Sequence, residues 1–213
     1  MPRIDLQCAP AVGAALWIAS LTVASGCGPG TCPGGTCGTE AALGLGRAVW
    51  LAPNDWGATN ATQPRRTSPD IDSLTLGGAA EGAAHLSFRR LPRARQILRA
   101  TLRLWPHPGF GGSRSAGRLA AHRTPPFVGS RLTRDNAPAP IGSPVAMANV
   151  PAGRAVSVAL DLTDAIRLLW RDGGDRLDLR IALADARNDA EWRIASPRAV
   201  DRHTRPRLEL VLR

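Results

Sequence analysis

The sequence predicts an all-β fold, an antiparallel β-sandwich or jelly roll with one short helix over residues 163–171. Two observations predict the sheets. Apolar and polar residues alternate with a period of two in several short segments, and glycine- or proline-rich connections separate those segments. A third observation, one segment with helical spacing, predicts the helix. Many short strands with one wet face are typical of sandwiches and jelly rolls.

Five segments show the alternation most clearly. They are residues 85–89, 98–104, 156–162, 176–183 and 207–212. In residues 98–104 the leucines occupy one face, and Arg99, Thr101 and Arg103 occupy the other. Because side chains alternate across a strand, each segment is predicted to be half-buried, with one face in water.

The predicted helix lies between two of these strands. Thr163 is a suitable cap, and Gly173 with Gly174 should end the helix. Its apolar face is formed by Ala165, Ile166, Leu169 and Trp170. Connections are predicted from three runs rich in proline or glycine, residues 106–117, 125–130 and 138–144.

The composition indicates a folded and strongly basic chain. The 213 residues carry a formal charge of +10, and all 27 cationic side chains are arginine because no lysine occurs. The hydrophobic share of 44% and the charged share of 21% are typical of globular rather than disordered proteins. No run reaches the roughly 18 to 20 apolar residues of a membrane span, which argues against a polytopic membrane protein.

The first 26 residues resemble the signal peptide of a bacterial lipoprotein. A short, weakly basic start precedes the apolar run 11–24, and Val23-Ala24-Ser25-Gly26-Cys27 is similar to a lipobox. The resemblance implies cleavage before Cys27 and acylation of its thiol and new amine, with plain secretion as the alternative. By resemblance to lipoprotein sorting, Gly28 after the cysteine implies the outer membrane rather than retention at the inner one. We therefore expect an exported protein, lipid-anchored at the outer membrane or cell surface.

The remaining chain divides into a tether and a single domain. Residues 27–46 are glycine-rich and indicate a flexible tether, and residues 47–213 form the predicted domain. Cys32 and Cys37 in the tether can form a disulfide in an oxidising compartment or remain free thiols. A metal knuckle that adds Cys27 is the competing interpretation, but it lacks a nearby histidine. The pI near 11.4 permits nucleic-acid binding, which the exported address argues against as a physiological role.

A series of motifs runs through residues 70–213 in a recognisable order. They are Leu86-Ser87-Phe88, Ala100-Thr101-Leu102-Arg103-Leu104, His122-Arg123-Thr124, residues 133–138, residues 158–166 and Arg205-Pro206-Arg207-Leu208. This order resembles the DNRLRE-domain family, also classed with carbohydrate-binding module family ninety-six. The chain departs from the family's usual residues at Phe127, Gly129, Arg134 and Asp135.

The resemblance implies a non-catalytic jelly-roll module of cell-surface or secreted proteins, some of which bind acidic polysaccharide. It also admits a structural calcium ion, and no other cofactor is expected. Carboxylates that can offer oxygen ligands to calcium are Asp70 with Asp72, or Asp172, Asp175 and Asp178.

Arginine columns are the candidate binding residues. Arg99 and Arg103 are about 13 Å apart on one strand face, and Arg176 and Arg180 repeat that spacing. Guanidinium groups pair bidentately with carboxylate, sulfate or phosphate, so such columns can follow an anionic polymer. The plainer interpretation is a codon bias that places arginine wherever any cation is tolerated. Trp56, in a predicted loop, is the candidate for stacking on a sugar ring.

Catalytic motifs are missing from the sequence. The four histidines are scattered, and neither a G-x-S-x-G elbow nor an H-E-x-x-H, P-loop or dinucleotide motif occurs. We therefore expect no enzyme activity. The expected function is binding of an anionic polysaccharide, with membrane attachment through the lipid alone. The alternative is a structural module of the cell envelope that contacts another protein and binds no glycan.

Overall fold

The computed structural model describes residues 39–40, 46–62, 72–79, 81–184 and 190–213. All of these residues belong to one compact unit, residues 34–213. The predicted signal peptide, Cys27, Cys32, Cys37 and Asp70 lie outside the described residues. Among the residues described, no helix is long and apolar enough to cross a bilayer.

Antiparallel sheets make up most of the described chain. The strands are β1 (Thr39–Glu40), β2 (Arg47–Leu51), β3 (Asp55–Thr59), β4 (Ser73–Gly77), β5 (Ala83–Phe88), β6 (Ile97–Leu104), β7 (Gly117–Arg123), β8 (Ile141–Val150), β9 (Val158–Asp161), β10 (Leu177–Leu183), β11 (Glu191–Ala195) and β12 (Arg207–Leu212). The first sheet has the order β1-β2-β12-β6-β9, the second has the order β3-β5-β10-β7-β8, and β11 pairs with β4. One helix, α1 (Thr163–Arg171), joins β9 to β10. The prediction of an all-β sandwich with one helix is confirmed.

The core lies between the inner faces of the sheets. Leu160, Leu102 and Leu208 are register neighbours across the first sheet, and Leu86 faces Leu179 in the second. All five are fully buried. A leucine buried in this way contributes about 1.5–3 kcal/mol to the free energy of folding. The apolar half of each alternating segment therefore accounts for the way the sheets pack.

The outer face of the second sheet is covered, which the sequence did not predict. Every residue of β5 is buried, including His85 and Ser87, which were expected in water. Residues 124–132 lie over this face: the Phe127 ring meets the His85 ring edge-on at 5.6 Å between centroids, and the Gly129 N–H donates to Asp55 Oδ1 at 3.0 Å. The prediction of one wet face for β5 is wrong because a non-repetitive segment replaces the solvent there.

Strand β8 corrects another prediction. Residues 138–144 were expected to be a connection, but the strand begins at Ile141. Ala121 pairs with Ala146 while Arg123 pairs with Ile141, so extra residues bulge out of the ladder between them. Pro144 lies in this bulge on an edge strand, where a missing N–H is tolerated. The proline is therefore compatible with the strand.

Helix α1 ends as predicted but begins differently. Gly173 has φ +78°, and the Gly173 and Gly174 N–H groups donate to Trp170 O and Leu169 O. At the other end, no side chain caps the helix from the N-cap residue. Asp161 Oδ1 accepts the Thr163 N–H at 2.9 Å, and Thr163 Oγ1 accepts the Ala100 N–H at 2.9 Å. The prediction that Thr163 caps the helix is therefore wrong; its hydroxyl ties the helix to β6.

Candidate functional site

The outer face of the first sheet brings aromatic and arginine side chains together. Trp50, Glu209 and Thr101 are register neighbours across β2, β12 and β6, and Arg207 faces Arg103 in the next row. Arg99 and Trp105 lie on the same side of β6 by the alternation of the strand. We call this surface the Trp50 face: Trp50, Arg99, Arg103, Trp105, Arg207 and Glu209.

Arg207 is held between two indoles. Its guanidinium carbon lies 4.6 Å from the centroid of the Trp105 ring and 5.6 Å from that of Trp50. Both distances are within the range of a cation–π interaction. This stacking fixes the guanidinium and both rings along the sheet surface.

Glu209 orients the arginines at the centre of the face. Its Oε1 accepts from Arg207 Nε at 3.2 Å and its Oε2 accepts from Arg103 Nε at 2.8 Å. One carboxylate thus serves two guanidinium groups, and each keeps further N–H donors for a ligand. The centre of the face retains a positive charge.

The edge of the face is open. Trp50 exposes 49% of its surface, and Arg99 is exposed. Among the described residues, the Arg99 guanidinium has no hydrogen-bond or ion-pair partner. Asp161, on the neighbouring strand β9, has a pKa held below its usual value by hydrogen bonds from the Thr163 hydroxyl and amide, assisted by the charges of Arg167 and Arg99. Asp161 is therefore ionised at neutral pH and already engaged by Thr163.

These groups offer an extended ligand two kinds of non-covalent interaction. An exposed indole offers an apolar face to the C–H surface of a sugar ring, and a guanidinium offers paired N–H donors to a carboxylate or sulfate. Both lie on the outer surface of the first sheet. The arrangement suits a polymer laid across the strands.

The four predicted arginines do not form one site. Arg99 and Arg103 share the Trp50 face, whereas Arg180 lies on β10 of the other sheet. Arg176 donates from Nε and Nη2 to the two oxygens of Asp178, at 2.6 and 2.9 Å, and from Nη2 to Phe127 O at 3.2 Å. Arg176 therefore fastens the covering segment, and Arg180 lines a separate cleft.

The structure places Trp56 differently from the prediction, and it exposes another tryptophan, Trp50, instead. Trp56 lies in β3 rather than in a loop, and its half-buried ring packs against the core. Trp50, which the sequence analysis did not single out, is the exposed one. The alternation of Val49 and Leu51 with Trp50 is the signal that could have found it, but the apolar run around it obscures the period.

No metal site is apparent in the part of the chain that the structure describes, where no three His, Cys, Asp or Glu side chains gather. Of the carboxylates considered for calcium, Asp178 is engaged by Arg176.

A comparison with protein-family models finds no match for this chain, and no curated protein sequence matches it. The resemblance to the DNRLRE-domain family stays a prediction from motif order.

Proposed function

We propose that this protein is a non-catalytic, lipid-anchored module of the cell surface that binds an anionic polysaccharide through the Trp50 face. The observation that carries the proposal is the half-exposed Trp50 ring beside Arg207, on an open sheet surface that also holds Arg99 and Arg103. Aromatic stacking and charge pairing are the two interactions that an acidic sugar polymer needs.

The spacing of the face supports a ligand longer than one sugar. Trp50 on β2 and Arg103 on β6 are separated by one intervening strand, β12. Because neighbouring strands are about 4.8 Å apart, the two positions lie about 10 Å apart across the sheet. A chain that stacks one ring on Trp50 therefore extends to the arginines with its next units.

Attraction between charges alone provides a simpler account of polyanion binding. The salt dependence of binding distinguishes this account from one that includes stacking on Trp50. Attraction between exposed charges is largely screened beyond about 8 Å at physiological ionic strength. Stacking on Trp50 and paired hydrogen bonds at short range are less sensitive to salt. Selective binding that persists in salt therefore supports the proposal.

Affinity electrophoresis tests it. The protein should be retarded in gels containing one acidic polysaccharide at about 0.15 M salt, and much less in gels with neutral ones. Trp50→Ala and Arg99→Ser should each reduce the retardation. Arg202→Ser, which removes the same charge from an exposed turn outside the face, is the matched control and should behave like the wild type. Retardation by every polyanion that vanishes with salt would contradict the proposal.

The anchor is tested separately. Cells fed an alkynyl fatty acid should label the wild-type protein and the Cys32→Ser variant, but not Cys27→Ser. Equal labelling of Cys27→Ser would contradict acylation at Cys27, and an unlabelled wild type would leave plain secretion.

A second candidate function, contact with another envelope protein, is favoured by strand β8. No charged residue occurs from residue 136 to residue 153, and Ile141 and Met147 expose 53% and 51% of their surfaces. Uncharged exposed apolar surface is typical of protein interfaces. Stoichiometric co-purification of a partner that Met147→Arg abolishes, with no glycan retention, would favour this candidate over the first.

A further inference from the structure

A cleft of about 410 Å³ opens on the outer side of the second sheet. It lies where the cover that begins at residue 124 continues into residues 134–140. Its charged lining residues are Glu81, Arg134 and Arg180, and its apolar wall is formed by Ala137, Pro138, Ala139 and Pro140. The Trp50 face belongs to the other sheet, so the two sites do not overlap.

Arg180 is the distinctive group of this cleft. It is half-buried on β10, with His85 and His122 as its register neighbours on the two adjacent strands. Arg176, four residues earlier on the same side of the chain, is paired with Asp178. Among the described residues, by contrast, no carboxylate or carbonyl group accepts a hydrogen bond from the Arg180 guanidinium.

The surroundings of Arg180 disfavour its own charge. Burial lowers the pKa of Arg180, and the charge of Arg134 adds to this. Burial and the charge of Arg180 lower the pKa of His85 to about 4, so that histidine is neutral at pH 7. Both ring nitrogens of the fully buried His85 also lack a hydrogen-bond partner. An unpaired cation beside unsatisfied polar groups is costly, and a bound anion would offset that cost.

The charges in the lining limit the kind of anion. Arg134 already pairs with Glu81, with 2.6 Å between Nη2 and Oε2, so Arg180 is the lining guanidinium for which the described residues provide no carboxylate partner. The single positive charge of Arg180 is balanced by a ligand that carries one negative charge. The Glu81 carboxylate repels a dianion such as sulfate more strongly than it repels a monoanion. The planar fork of Arg180 can pair bidentately with a carboxylate. The proline and alanine wall can contact the organic part of the ligand.

We propose that this cleft binds a small organic monocarboxylate, whose carboxylate group pairs with Arg180 and whose apolar part lies against residues 137–140. The site goes beyond the glycan-binding function and does not depend on it. It uses the opposite sheet, and its ligand is a small molecule.

Benzoate is a suitable probe because benzamide has the same shape without the charge. Saturation-transfer NMR and titration calorimetry on the full chain should show binding of benzoate, and weaker binding of benzamide and of sulfate. Arg180→Gln should weaken benzoate binding by about tenfold or more, because a charge-assisted pair is lost. Arg202→Gln, the matched control, should bind as the wild type does.

Two further variants keep the test decisive if Arg180→Gln is poorly folded. Arg180→Lys keeps the charge but loses the fork, so benzoate binding should be weakened less than in Arg180→Gln. Glu81→Gln removes the negative charge from the lining and frees Arg134, so benzoate should bind more tightly than to the wild type. A gain of affinity cannot come from misfolding. The proposal is overturned by equal affinities for benzoate and benzamide, by tighter binding of sulfate, by no change in the Arg180 and Glu81 variants, or by no benzoate binding.

Discussion

Arginine residues of this protein differ in what they can do because their carboxylate neighbours differ. Arg103 and Arg207 share Glu209, and Arg176 is paired with Asp178. Arg180 lines a cleft whose acid, Glu81, is paired with Arg134, and the described residues give it no carboxylate partner of its own. The sequence shows the strand position of each arginine but not the acid across the sheet or on the covering segment. It therefore predicted Arg99 and Arg103 on one wet face, and it could not distinguish Arg176 from Arg180.

The Arg176–Asp178 pair should stabilise the fold measurably. Asp178 exposes only 4% of its side chain, so Arg176→Ser leaves a nearly buried carboxylate without its cation. We expect a loss of about 2 kcal/mol in the free energy of unfolding, below the value for a fully buried pair because Arg176 is partly in water. Urea unfolding measures it.

Arg171→Ser is the matched control for that prediction. Its ion pair with Asp172 is exposed and long, at 3.8 Å, and should contribute less than about 0.5 kcal/mol. A loss in Arg176→Ser as small as the one expected for Arg171→Ser would mean that the Arg176–Asp178 pair is not a stabilising contact.

His85 should make the stability depend on pH. Its pKa is lowered to about 4 by burial, with a contribution from Arg180, whereas in the unfolded chain it is near the ordinary value of about 6.5. The unfolded state therefore takes up the proton first, and stability is lost as the pH falls from about 6.5 to about 4. Once His85 is protonated in both states, the free energy of unfolding is lower by about 3 kcal/mol.

A comparison with His85→Asn isolates this contribution, since the carboxylates titrate in both proteins. Unfolding free energies at several pH values between 7 and 4 should fall more steeply in the wild type. Parallel curves would show that His85 is protonated without cost in the folded protein.

At the scale of elements, period-two alternation succeeded where one face of a strand meets the core. Strands β6, β10 and β12 lie within a residue of their predicted bounds. It failed to describe β5, since the residues under the cover, His85 and Ser87, are polar. The cover itself has no period because it makes irregular contacts through Phe127, Gly129 and Leu132. Period-two alternation predicts a strand from its own residues. It does not predict whether a loop from elsewhere in the chain covers the strand's outer face.

Gly129 should be required for residues 124–132 to pack against the second sheet. A Cβ there would collide with Trp56 O and with Asp55 Oδ1, and the backbone oxygen cannot move aside cheaply. Gly129→Ala should destabilise the protein by about 1–3 kcal/mol, in the range of overpacked cores. Thermal or urea unfolding measures the change.

Gly111→Ala is its control, because nothing lies within 4 Å of the added carbon and Gly111 has no positive φ. That variant should keep the stability of the wild type or exceed it slightly. A neutral Gly129→Ala would show that the covering segment can shift without loss.

At the scale of the whole molecule, the outer faces of the two large sheets differ in whether other residues cover them. The first sheet stays open and carries Trp50 with its arginines, whereas the second is covered by residues 124–132 and keeps a cleft at Arg180. The fold class could be predicted from the sequence because several strands show the same alternation, with one face in the core. The candidate sites did not, because they depend on which strands become neighbours: Trp50 meets Arg207 only through the pairing of β2 with β12.

The most direct test of the Trp50 face is the dissociation constant of the protein for the acidic polysaccharide that retards it, measured at about 0.15 M salt for the wild type, Trp50→Ala and Arg202→Ser. Loss of the stacked ring should weaken binding of Trp50→Ala by about tenfold, from the apolar area and aromatic contact that it removes. Arg202→Ser should equal the wild type. Equal affinities of Trp50→Ala and the wild type would contradict glycan binding at this face.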